Sequence, residues 1–404
     1  MKILLVNDYA TPTGGAELLM FALRDGLRQQ GHDARLFASS AQVGSHDRVA
    51  DYECLGTTSG LRTLLQSWNP LAARRLQRVL REFQPDVVHV KIFLTQLSPS
   101  ILQVLKDVPS LYYVAWYRPI CPLGSKTLTD GSPCHDHYGV ACYRNGCLPL
   151  RDWVPLMLQM RWWRQSQKYF NRIVANSRAV QRRIELEGVP TDGVVSCGVP
   201  VRSPRPPLCS VPTVVFAGRL VWEKGLDVLV NAFARVVAEC SAARLMIAGD
   251  GPERDRLQTL IDDLNLTESI SLLGHLPREE MERTFDQAWV QVVPSRWAEP
   301  FGMVAAEAMM RGTAVVASAS GGLTEVVQNG ETGILVPSND ADHLAKALLL
   351  LLSDRSLAEQ MGQRGRTVAL ERFSEPIFVD EFVAQYEMLL QNVKVEDRKE
   401  IHVV

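Results

Sequence analysis

The feature that most constrains the fold of this chain is a regular alternation of short apolar segments with longer amphipathic ones. The segment 14–31 has helical periodicity and ends at a glycine. Short buried strands that alternate with helices pair in parallel through βαβ units. Five apolar segments of the first half are predicted strands: KILLVN (2–7), DARLFAS (33–39), PDVVHV (85–90), SLYYVAW (110–116) and RIVANS (172–177).

The same alternation starts again after a proline-dense stretch. Residues 198–213, GVPVRSPRPPLCSVPT, lack any periodicity and are the predicted connection between two domains. Two Rossmann-like α/β domains facing a cleft are therefore expected, with ligands beyond the carboxyl ends of the strands. The second half has predicted strands at 213–218, 244–249, 269–274, 289–295 and 313–318, and predicted helices at 225–239, 252–264, 278–287 and 302–311.

Length and charge narrow the class of protein further. A chain of 404 residues exceeds one hydrophobic core, and a net charge of −2 gives no field for nucleic acid. The apolar run 344–354 is about half of the roughly 20 residues that cross a bilayer, and the N-terminal run is too short for a signal peptide. A cytoplasmic location is expected. Eight cysteines in such a chain do not form a disulfide scaffold.

Glycine-rich turns follow predicted strands at three places, 11–17, 248–253 and 320–325. Glycine lets backbone N–H groups approach a phosphate, and the helix that follows offers its positive end. Each turn alone is equally typical of an ordinary strand-to-helix connection. Three of them at comparable positions favour an anionic ligand.

Two cations follow the first strand of the second half. Arg219 and Lys224 lie in AGRLVWEKG, at the carboxyl end of that strand. Their charge-assisted hydrogen bonds could neutralise a diphosphate without a metal. The alternative is a pair of solvated surface cations.

Two glutamates in RWAEPFGMVAAEAMMRG stand at the start of a predicted helix. Pro300 excludes Glu299 from helical conformation, so the helix should begin near Gly302 with Glu299 in the loop before it. Glu307 lies more than a turn inside the helix, among apolar residues, where a carboxylate needs a partner. Either Arg311 forms a salt bridge with it, or it accepts hydrogen bonds from ribose hydroxyls.

These motifs together resemble glycosyltransferase family 4, the retaining nucleotide-sugar-dependent enzymes with an E-x7-E motif and the GT-B fold. The resemblance lies in G-R-L-x-x-E-K-G, G-x-G-P-E, E-P-F-G-x-x-x-x-E and G-G-x-x-E-x-V-x-x-G-x-x-G, strongest from 213 to 340. It implies an acceptor-side domain (1–200) that includes a Cys-rich loop (121–147), a linker (201–212) and a donor domain (213–374). A helix at 375–390 would cross back to the first domain, followed by a charged tail at 391–404.

By the same resemblance, Arg219 and Lys224 would hold and stabilise the departing diphosphate, and Glu299 would hydrogen-bond the transferred sugar. Glu307 would bind the ribose. The chain would then move a sugar to a saccharide or lipid-linked acceptor in cell-surface polysaccharide or glycoconjugate synthesis, with no cofactor required. Further donor contacts would come from Phe301, Gly302, Met303 and Glu325, and from Gly14 and Gly15 on the opposite domain.

One stretch departs from the family pattern. Where members carry His-Asp or His-Asn shortly before Cys-Pro, this chain has Ala115 and Trp116 in VAWYRPICP. The side chain that meets the sugar is therefore lost. This departure leaves one alternative open, an inactive nucleotide-sugar-binding partner subunit. A second alternative, independent of Ala115, is a nucleotide-sugar epimerase of the same architecture.

Cysteines concentrate in the loop 121–147. Zinc needs four nitrogen or sulfur ligands, and two histidines lie among the four thiols. The spacing contains no compact Cys-x2-Cys pair, so free thiols or a disulfide remain alternatives. The candidate metal ligands are Cys121, Cys134, Cys142 and Cys147, with His135 and His137 as further donors.

Two more segments have competing interpretations. Residues 150–173 combine tryptophans with arginines, which is typical either of a helix at an anionic membrane surface or of a core-packed helix with a basic outer face. Asp340 and Asp342 imitate a metal-binding D-x-D, but their place before an apolar helix predicts a helix cap.

Overall fold

The computed structural model describes residues 1–11, 14–42 and 48–401 as an α/β protein. Its contacts divide the chain into two compact units. Unit 1 comprises residues 1–129, 134–198 and those from 375 onward, and unit 2 comprises residues 130–133 and 199–374. No helix within the described ranges combines the length and apolarity that a bilayer crossing requires.

Unit 1 is built on a parallel sheet of seven described strands in the order β3-β2-β1-β4-β5-β6-β7. The order reverses direction at β1, as in a Rossmann-like sheet. The strands are β1 (Lys2–Asn7), β2 (Asp33–Ser39), β3 (Tyr52–Cys54), β4 (Val87–Val90), β5 (Ser110–Val114), β6 (Arg172–Ala175) and β7 (Gly193–Val194).

The helices of unit 1 follow from local capping as well as periodicity. Asn69 accepts a hydrogen bond from the N–H of Ala72, and Pro70 follows it at the first helical position. Ser177 accepts in the same way from Val180. The helices are α1 (Gly15–Gln29), α2 (Arg62–Ser67), α3 (Pro70–Phe83), α4 (Ser100–Val104), α5 (Val140–Arg144), α6 (Leu150–Ser166) and α7 (Arg178–Leu186).

Unit 2 has a parallel sheet of six described strands in the order β10-β9-β8-β11-β12-β13. Fully buried side chains from the sheet and its helices, such as Val290, Phe233 and Leu348, form the core. The strands are β8 (Thr213–Ala217), β9 (Arg244–Ala248), β10 (Ile270–Gly274), β11 (Val290–Val293), β12 (Ala314–Ser318) and β13 (Gly333–Val336). The helices are α8 (Leu226–Glu239), α9 (Arg254–Asp263), α10 (Arg278–Phe285), α11 (Met303–Arg311), α12 (Leu323–Val326), α13 (Ala341–Ser353) and α14 (Arg355–Arg372).

Both sheets and the helices that alternate with their strands confirm the predicted α/β class. The strands at 2–7 and 33–39 have the predicted bounds, whereas β4 and β5 are shorter than predicted. Asp340 accepts hydrogen bonds of 3.0 Å from the N–H groups of Asp342 and His343, so the D-x-D is a helix cap.

The predicted linker contacts unit 2, because Arg205 donates to the carbonyls of Arg311 and Gly312 at 2.9 and 3.1 Å.

The last helix, α15 (Glu375–Ile401), belongs to unit 1 although it follows unit 2 in the chain. It is longer than the predicted 375–390, and the segment predicted as a charged tail continues it to residue 401. Tyr386 shares a buried hydrogen bond of 2.6 Å with Nδ1 of His89, and the Phe382 ring lies 5.0 Å from that of Tyr113. Burial, and after it the charge of Lys91, lowers the pKa of His89 to about 3.

Candidate active site

Two loops meet at the carboxyl ends of β8 and β11. Residues Trp222–Lys224 form a single 3₁₀ turn, which ends at Gly225 with φ 67°. A Cβ atom at Gly225 would collide with the carbonyl oxygen of Pro294 in the second loop. The N–H of Arg296 donates to the carbonyl of Glu223 at 2.9 Å. The loop that carries Lys224 is therefore held against the loop that carries Glu299.

Arg296 joins these two loops through its side chain. The sequence motifs did not identify it as a site residue. Its guanidinium donates to Asp227 at 2.6 Å and to the carbonyl of Trp222 at 3.1 Å, and it lies 4.3 Å from the centre of the Trp222 ring. Burial would raise the pKa of Asp227, but the bond and charge of Arg296 keep it below its ordinary value. Arg296 and Asp227 are far apart in sequence, so no local pattern signals the pair.

Glu299 and Lys224 form the central ion pair of the site. Glu299 is 7% exposed, and its Oε1 accepts hydrogen bonds of 2.6 Å from Nζ of Lys224 and from the hydroxyl of Ser295. Burial alone would raise the pKa of Glu299, but the charge and bond of Lys224 and the Ser295 hydroxyl hold it below the ordinary value. The Lys224 ammonium also lies 5.7 Å from the centre of the Trp297 ring. An ionised carboxylate is thus stabilised at the mouth of α11.

The glycines of the 320–325 turn have a packing role. The N–H of Gly322 donates to the carbonyl of Glu299 at 2.7 Å. A Cβ atom at Gly322 would lie 2.6 Å from Cα of Phe301, and one at Gly321 would collide with the Glu299 carbonyl. These glycines let the turn lie directly on the backbone of residues 298–301. The predicted anion contact of this turn is not needed to explain them and stays a prediction.

The 248–253 turn packs in the same manner against the end of β8. Gly218 donates to the carbonyl of Ala248 at 3.1 Å, and Leu220 donates to that of Asp250 at 2.9 Å. A Cβ atom at Gly249 would collide with the Gly218 carbonyl. The loop on which Arg219 stands is therefore held by the neighbouring glycine turn.

Helix α11 starts at Met303, one residue after Gly302, close to the predicted start. The start of a helix has N–H groups without partners inside the helix, and it carries partial positive charge. The Phe301 side chain is 3% exposed and packs edge-to-face on Phe373, with ring centres 5.5 Å apart. Any contact of residue 301 with a nucleotide sugar would therefore come from its backbone, which is the contact predicted for this segment.

Glu307 has a partner other than the predicted one. Its Oε1 accepts a hydrogen bond of 3.0 Å from Nη2 of Arg278 on α10, whereas Arg311 donates to Gln291 at 3.0 Å. The prediction of an Arg311 salt bridge is wrong, because Arg311 turns toward the buried Gln291 side chain of β11. Burial raises the pKa of Glu307 above its ordinary value, opposed by the charges of Arg278 and Arg311.

A small cavity lies beside Glu307. Its polar lining includes Arg278, Glu282 and Gln291. Arg311 also lines it, and its Nη1 is buried with no hydrogen-bond partner among the described residues. The Glu307 side chain is 32% exposed.

The remaining predicted site residues lie at the ends of strands or the starts of helices. Arg219 is exposed two residues after β8 and forms no ion pair within the described part of the chain. Glu325 lies on the short helix α12. Gly14 and Gly15 stand at the start of α1 in unit 1, and Pro12 and Thr13 of the same turn lie outside the described residues.

Ala115, where the sequence departs from the family pattern, contacts the residue that follows β6. The carbonyl of Ala115 accepts a hydrogen bond of 3.2 Å from the Asn176 side chain. Arg118 is buried and donates to the carbonyl of Leu94 at 2.6 Å and to Gln159 at 3.1 Å. Burial lowers the pKa of Arg118 to about 10. The backbone oxygen at 115, which could have faced a sugar, is engaged within unit 1.

The cysteine-rich loop is anchored on Glu187. This buried residue directly follows α7, forms an ion pair with Lys126 at 2.6 Å and shares a hydrogen bond of 3.1 Å with Nδ1 of His137. Cys121, Cys134, Cys142 and Cys147 are free thiols. Within the described ranges, no three His, Cys, Asp or Glu side chains are arranged to hold a metal ion. Zinc at these thiols stays a prediction.

Comparison with known proteins bears on both units. The family model described as Glycosyltransferase Family 4 matches residues 13–202, and the model described as Glycosyl transferases group 1 matches residues 210–368. A GDP-mannose-dependent alpha-(1-6)-phosphatidylinositol monomannoside mannosyltransferase of Mycobacterium tuberculosis is 35% identical over 161 residues, which cover 38% of this chain and 42% of the relative. N-acetyl-alpha-D-glucosaminyl L-malate synthase of Bacillus anthracis is 31% identical over 175 residues, 43% of this chain and 44% of the relative. The chain spans less than half the length of these curated relatives.

Solved structures show the same fold. Sucrose-phosphate synthase from Thermosynechococcus elongatus superposes with a TM-score of 0.73 at 22% identity, covering 97% of this chain and 100% of the other. Anabaena HepE in complex with UDP and glucose superposes with a TM-score of 0.67 at 18% identity, covering 96% and 100%. With both Rossmann-like sheets and both family models matched, the chain belongs to glycosyltransferase family 4 and has the GT-B fold.

Proposed function

We propose that this chain is a retaining hexosyltransferase that moves a sugar from a nucleotide-diphosphate donor to a saccharide or lipid-linked acceptor. The observation that carries the proposal is the ion pair between Lys224 and the buried Glu299, with its 2.6 Å separation, at the carboxyl edge of the unit 2 sheet and beside the start of α11. A cation and a helix N-terminus at one point suit a diphosphate.

The proposed chemistry is electrostatic. As the bond between the sugar and the diphosphate breaks, negative charge grows on the departing diphosphate. Arg219, Lys224 and the N–H groups at the start of α11 would stabilise that charge, a contribution that grows toward the transition state. Arg219 is exposed and free to turn toward such a ligand. The proposed mechanism uses no protein nucleophile. An acceptor hydroxyl, held on the same face as the diphosphate, would bond to the sugar as the diphosphate leaves and would give its proton to that diphosphate, so the configuration of the sugar is kept.

The proposed nucleotide contacts centre on Glu307. Ribose hydroxyls would donate to its carboxylate, and Arg278 would release the oxygen that it now binds. The partly exposed side chain and the adjacent cavity support this assignment. HepE binds UDP and UDP-glucose, and the mycobacterial relative depends on GDP-mannose, so UDP-sugars and GDP-sugars are the donors to test first.

The proposed acceptor is part of a cell-surface polysaccharide or glycoconjugate. Relatives include a phosphatidylinositol monomannoside mannosyltransferase and a lipopolysaccharide core glycosyltransferase from Rhizobium meliloti. We propose that this chain works at the cytoplasmic face of a membrane, which it meets through the segment 150–173. A lipid-linked acceptor would account for such contact.

Ala115 favours a second candidate, a nucleotide-sugar-binding subunit without activity of its own. The residue carries no side-chain donor for the sugar, and its carbonyl is bound by Asn176. This subunit would be stabilised by the donor yet would neither hydrolyse nor transfer it. A nucleotide-sugar epimerase would instead convert the donor without releasing free nucleotide.

The test is a panel of UDP-, GDP- and ADP-sugars, read by thermal stabilisation and by nucleotide release with candidate saccharide acceptors. A bound donor at a hundred times its Kd adds about 2.7 kcal/mol to stability. Lys224→Met should lower turnover by about 100-fold or more, because a cation at the leaving group is lost. Lys346→Met, which removes an exposed lysine from α13 of the same unit, is the matched control. Equal turnover in the two variants would remove the diphosphate role, and stabilisation without any nucleotide release would favour the binding subunit.

A further inference from the structure

Helix α6 exposes a row of large apolar side chains. Leu150, Val154 and Leu158 are 57%, 47% and 63% exposed. Their spacing of four residues places them on one side of the helix. Leu156, Met160 and Trp163 of the same helix are buried and hold it on unit 1.

The tryptophans of this segment do not form the exposed row. Trp163 is fully buried, and its indole N–H donates to the carbonyl of Pro119 at 3.0 Å. The Trp153 indole N–H donates to the carbonyl of Gly139 at 2.8 Å. Trp153 and Trp163 therefore bond to unit 1, and the exposed apolar side chains of α6 are Leu150, Val154 and Leu158. Membrane contact through 150–173 stays a prediction.

The short helix α2 and its flanks add three more apolar side chains. Leu61, Leu64 and Trp68 are 62%, 60% and 66% exposed. The side chains of Thr63 on α2 and Asp152 on α6 are joined by a hydrogen bond of 3.0 Å. Six large apolar side chains thus lie on, or directly beside, two helices that contact each other. Single exposed leucines are ordinary on a protein surface, whereas a cluster of this size marks an interaction site.

The buried sides of the two helices converge on one point. The side-chain amide of Gln159 on α6 donates to the carbonyl of Leu94 at 3.0 Å. Arg118 donates to that same carbonyl and to the side-chain oxygens of Gln66 on α2 and Gln159. Because both helices turn these polar side chains toward one buried carbonyl, their opposite, apolar sides both face away from the body of unit 1.

The charge of these helices is strongly positive. Their sequences, 62–67 and 150–166, contain four arginines and one acidic residue, Asp152. Arg62, Arg151 and Arg161 are exposed, and the Arg151 side chain is 86% exposed. Asp152 is engaged by Thr63 and Arg151. Guanidinium groups beside leucines and a tryptophan suit the boundary between anionic head groups and acyl chains.

We infer that the exposed faces of α2 and α6 form one surface that docks on an anionic lipid leaflet. The six apolar side chains would enter the head-group boundary, and the arginines would pair with lipid phosphates. Leu94 and Arg118, which lie beneath both helices, each follow the end of a sheet strand, β4 and β5, by four residues. The surface therefore adjoins the carboxyl edge of the unit 1 sheet, where α/β domains bind ligands. This inference deepens the membrane contact proposed above for 150–173, and its link to a lipid-linked acceptor rests on the proposed function.

The experiment is co-sedimentation of the full chain with vesicles of phosphatidylcholine, alone or mixed with phosphatidylglycerol. Wild type should sediment with the anionic vesicles and much less with the neutral ones. The double variant Leu64→Glu/Leu158→Glu should lose binding by about tenfold or more, since it removes two apolar anchors and adds repulsion. Leu186→Glu is the matched control, because this leucine is 77% exposed on α7 of the same unit. Arg151→Glu/Arg161→Glu should weaken binding to anionic vesicles specifically.

The inference is overturned if wild type ignores anionic vesicles, or if the double variant binds them as well as Leu186→Glu does. It is also overturned if sedimentation velocity shows that the surface joins two copies of the chain and that the double variant separates them. Thermal stabilisation of the Leu64→Glu/Leu158→Glu variant by nucleotide sugars tests the proposed function separately, because it does not depend on vesicle binding. Vesicle binding without any response to donors would leave the surface standing and remove the enzyme assignment.

Discussion

At the scale of single residues, two glutamates eight positions apart show how surroundings set acidity. Glu299 is the more buried, yet the pKa of its carboxyl is lowered, because Lys224 and Ser295 bind one oxygen directly. Glu307 is partly exposed, yet burial of its carboxyl raises its pKa, because Arg278 compensates only in part. In each case the position of the nearest cation decides whether the pKa of the carboxyl is raised or lowered.

The lowered pKa of Glu299 makes a prediction about stability and pH. The folded state favours the ionised form of Glu299. Its contribution to the free energy of unfolding is therefore present at pH values above the ordinary pKa of 4.5 and is lost as the pH falls through the folded-state pKa. Glu299→Gln should therefore cost about 1–3 kcal/mol at neutral pH, and the difference from wild type should shrink as the pH falls below 4.5. Thermal unfolding at a series of pH values measures this.

A matched control is Glu268→Gln, which changes an exposed glutamate of unit 2. We expect its unfolding temperature at neutral pH to stay close to that of wild type. A Glu299→Gln deficit that persists unchanged at acid pH would show that lost packing, rather than lost charge, is responsible.

At the scale of elements, the site is a set of turns packed backbone to backbone. Gly321 lies against Glu299, Gly249 against Gly218, and Gly225 against Pro294. In each case, a side chain would separate two loops that carry predicted site residues. Arg296 adds a side-chain fastening to the same loops through Asp227 and Trp222. The turns thus fix the distance between Lys224 and Glu299.

Gly321→Ala tests this packing. Gly321 has φ 57° and faces the Glu299 carbonyl, whereas Gly330 has φ 79° and nothing within 4 Å of an added Cβ. Gly330→Ala should lower the free energy of unfolding by only about 1–2 kcal/mol, the cost of placing a residue with a Cβ atom in the left-handed conformation. Gly321→Ala should cost at least ~2 kcal/mol more, because its backbone neighbour must move, and turnover should fall with it. Chemical denaturation of both variants gives the comparison, and equal losses would contradict the packing role.

At the scale of the whole molecule, the chain returns to unit 1 at its end. Helix α15 packs its aromatic side on that unit: Phe382 lies 4.6 Å from the His89 ring, and Tyr386 bonds to the same histidine. The partners are 297 residues apart in sequence, so the unit 1 core is complete only after unit 2 has been made. A Cβ at Gly26 of α1 would lie 2.5 Å from the Val379 side chain, which shows how closely the helix approaches.

Phe382→Ala is the test of this arrangement. The side chain is fully buried, so its loss should cost about 3–5 kcal/mol through lost burial and the cavity left behind. Met388→Ala, on the same helix with 39% of the residue exposed, is the control and should cost much less. Urea unfolding followed by a probe in unit 1 would measure both, and similar losses would show that α15 contributes little to that core.

The amino-acid sequence by itself determined the class of fold, the alternation of strands and helices, and the family. Apolar segments of strand length, helical periodicity, capping residues and Pro300 before α11 are local signals, and strands β1, β2 and β8 and helix α11 lie where those signals predict. The glycine motifs and paired acids were visible too, because each occupies a short stretch of chain.

Only the tertiary structure decided which side chains meet. It paired Glu307 with Arg278 instead of Arg311, Glu299 with Lys224, and Arg296 with Asp227, and it gave the glycines neighbours to lie against. It also buried Trp163 of α6 and left Leu150 and Leu158 exposed. The physical reason is that such contacts join residues tens to hundreds of positions apart, where no periodicity or spacing carries information about which partner is near.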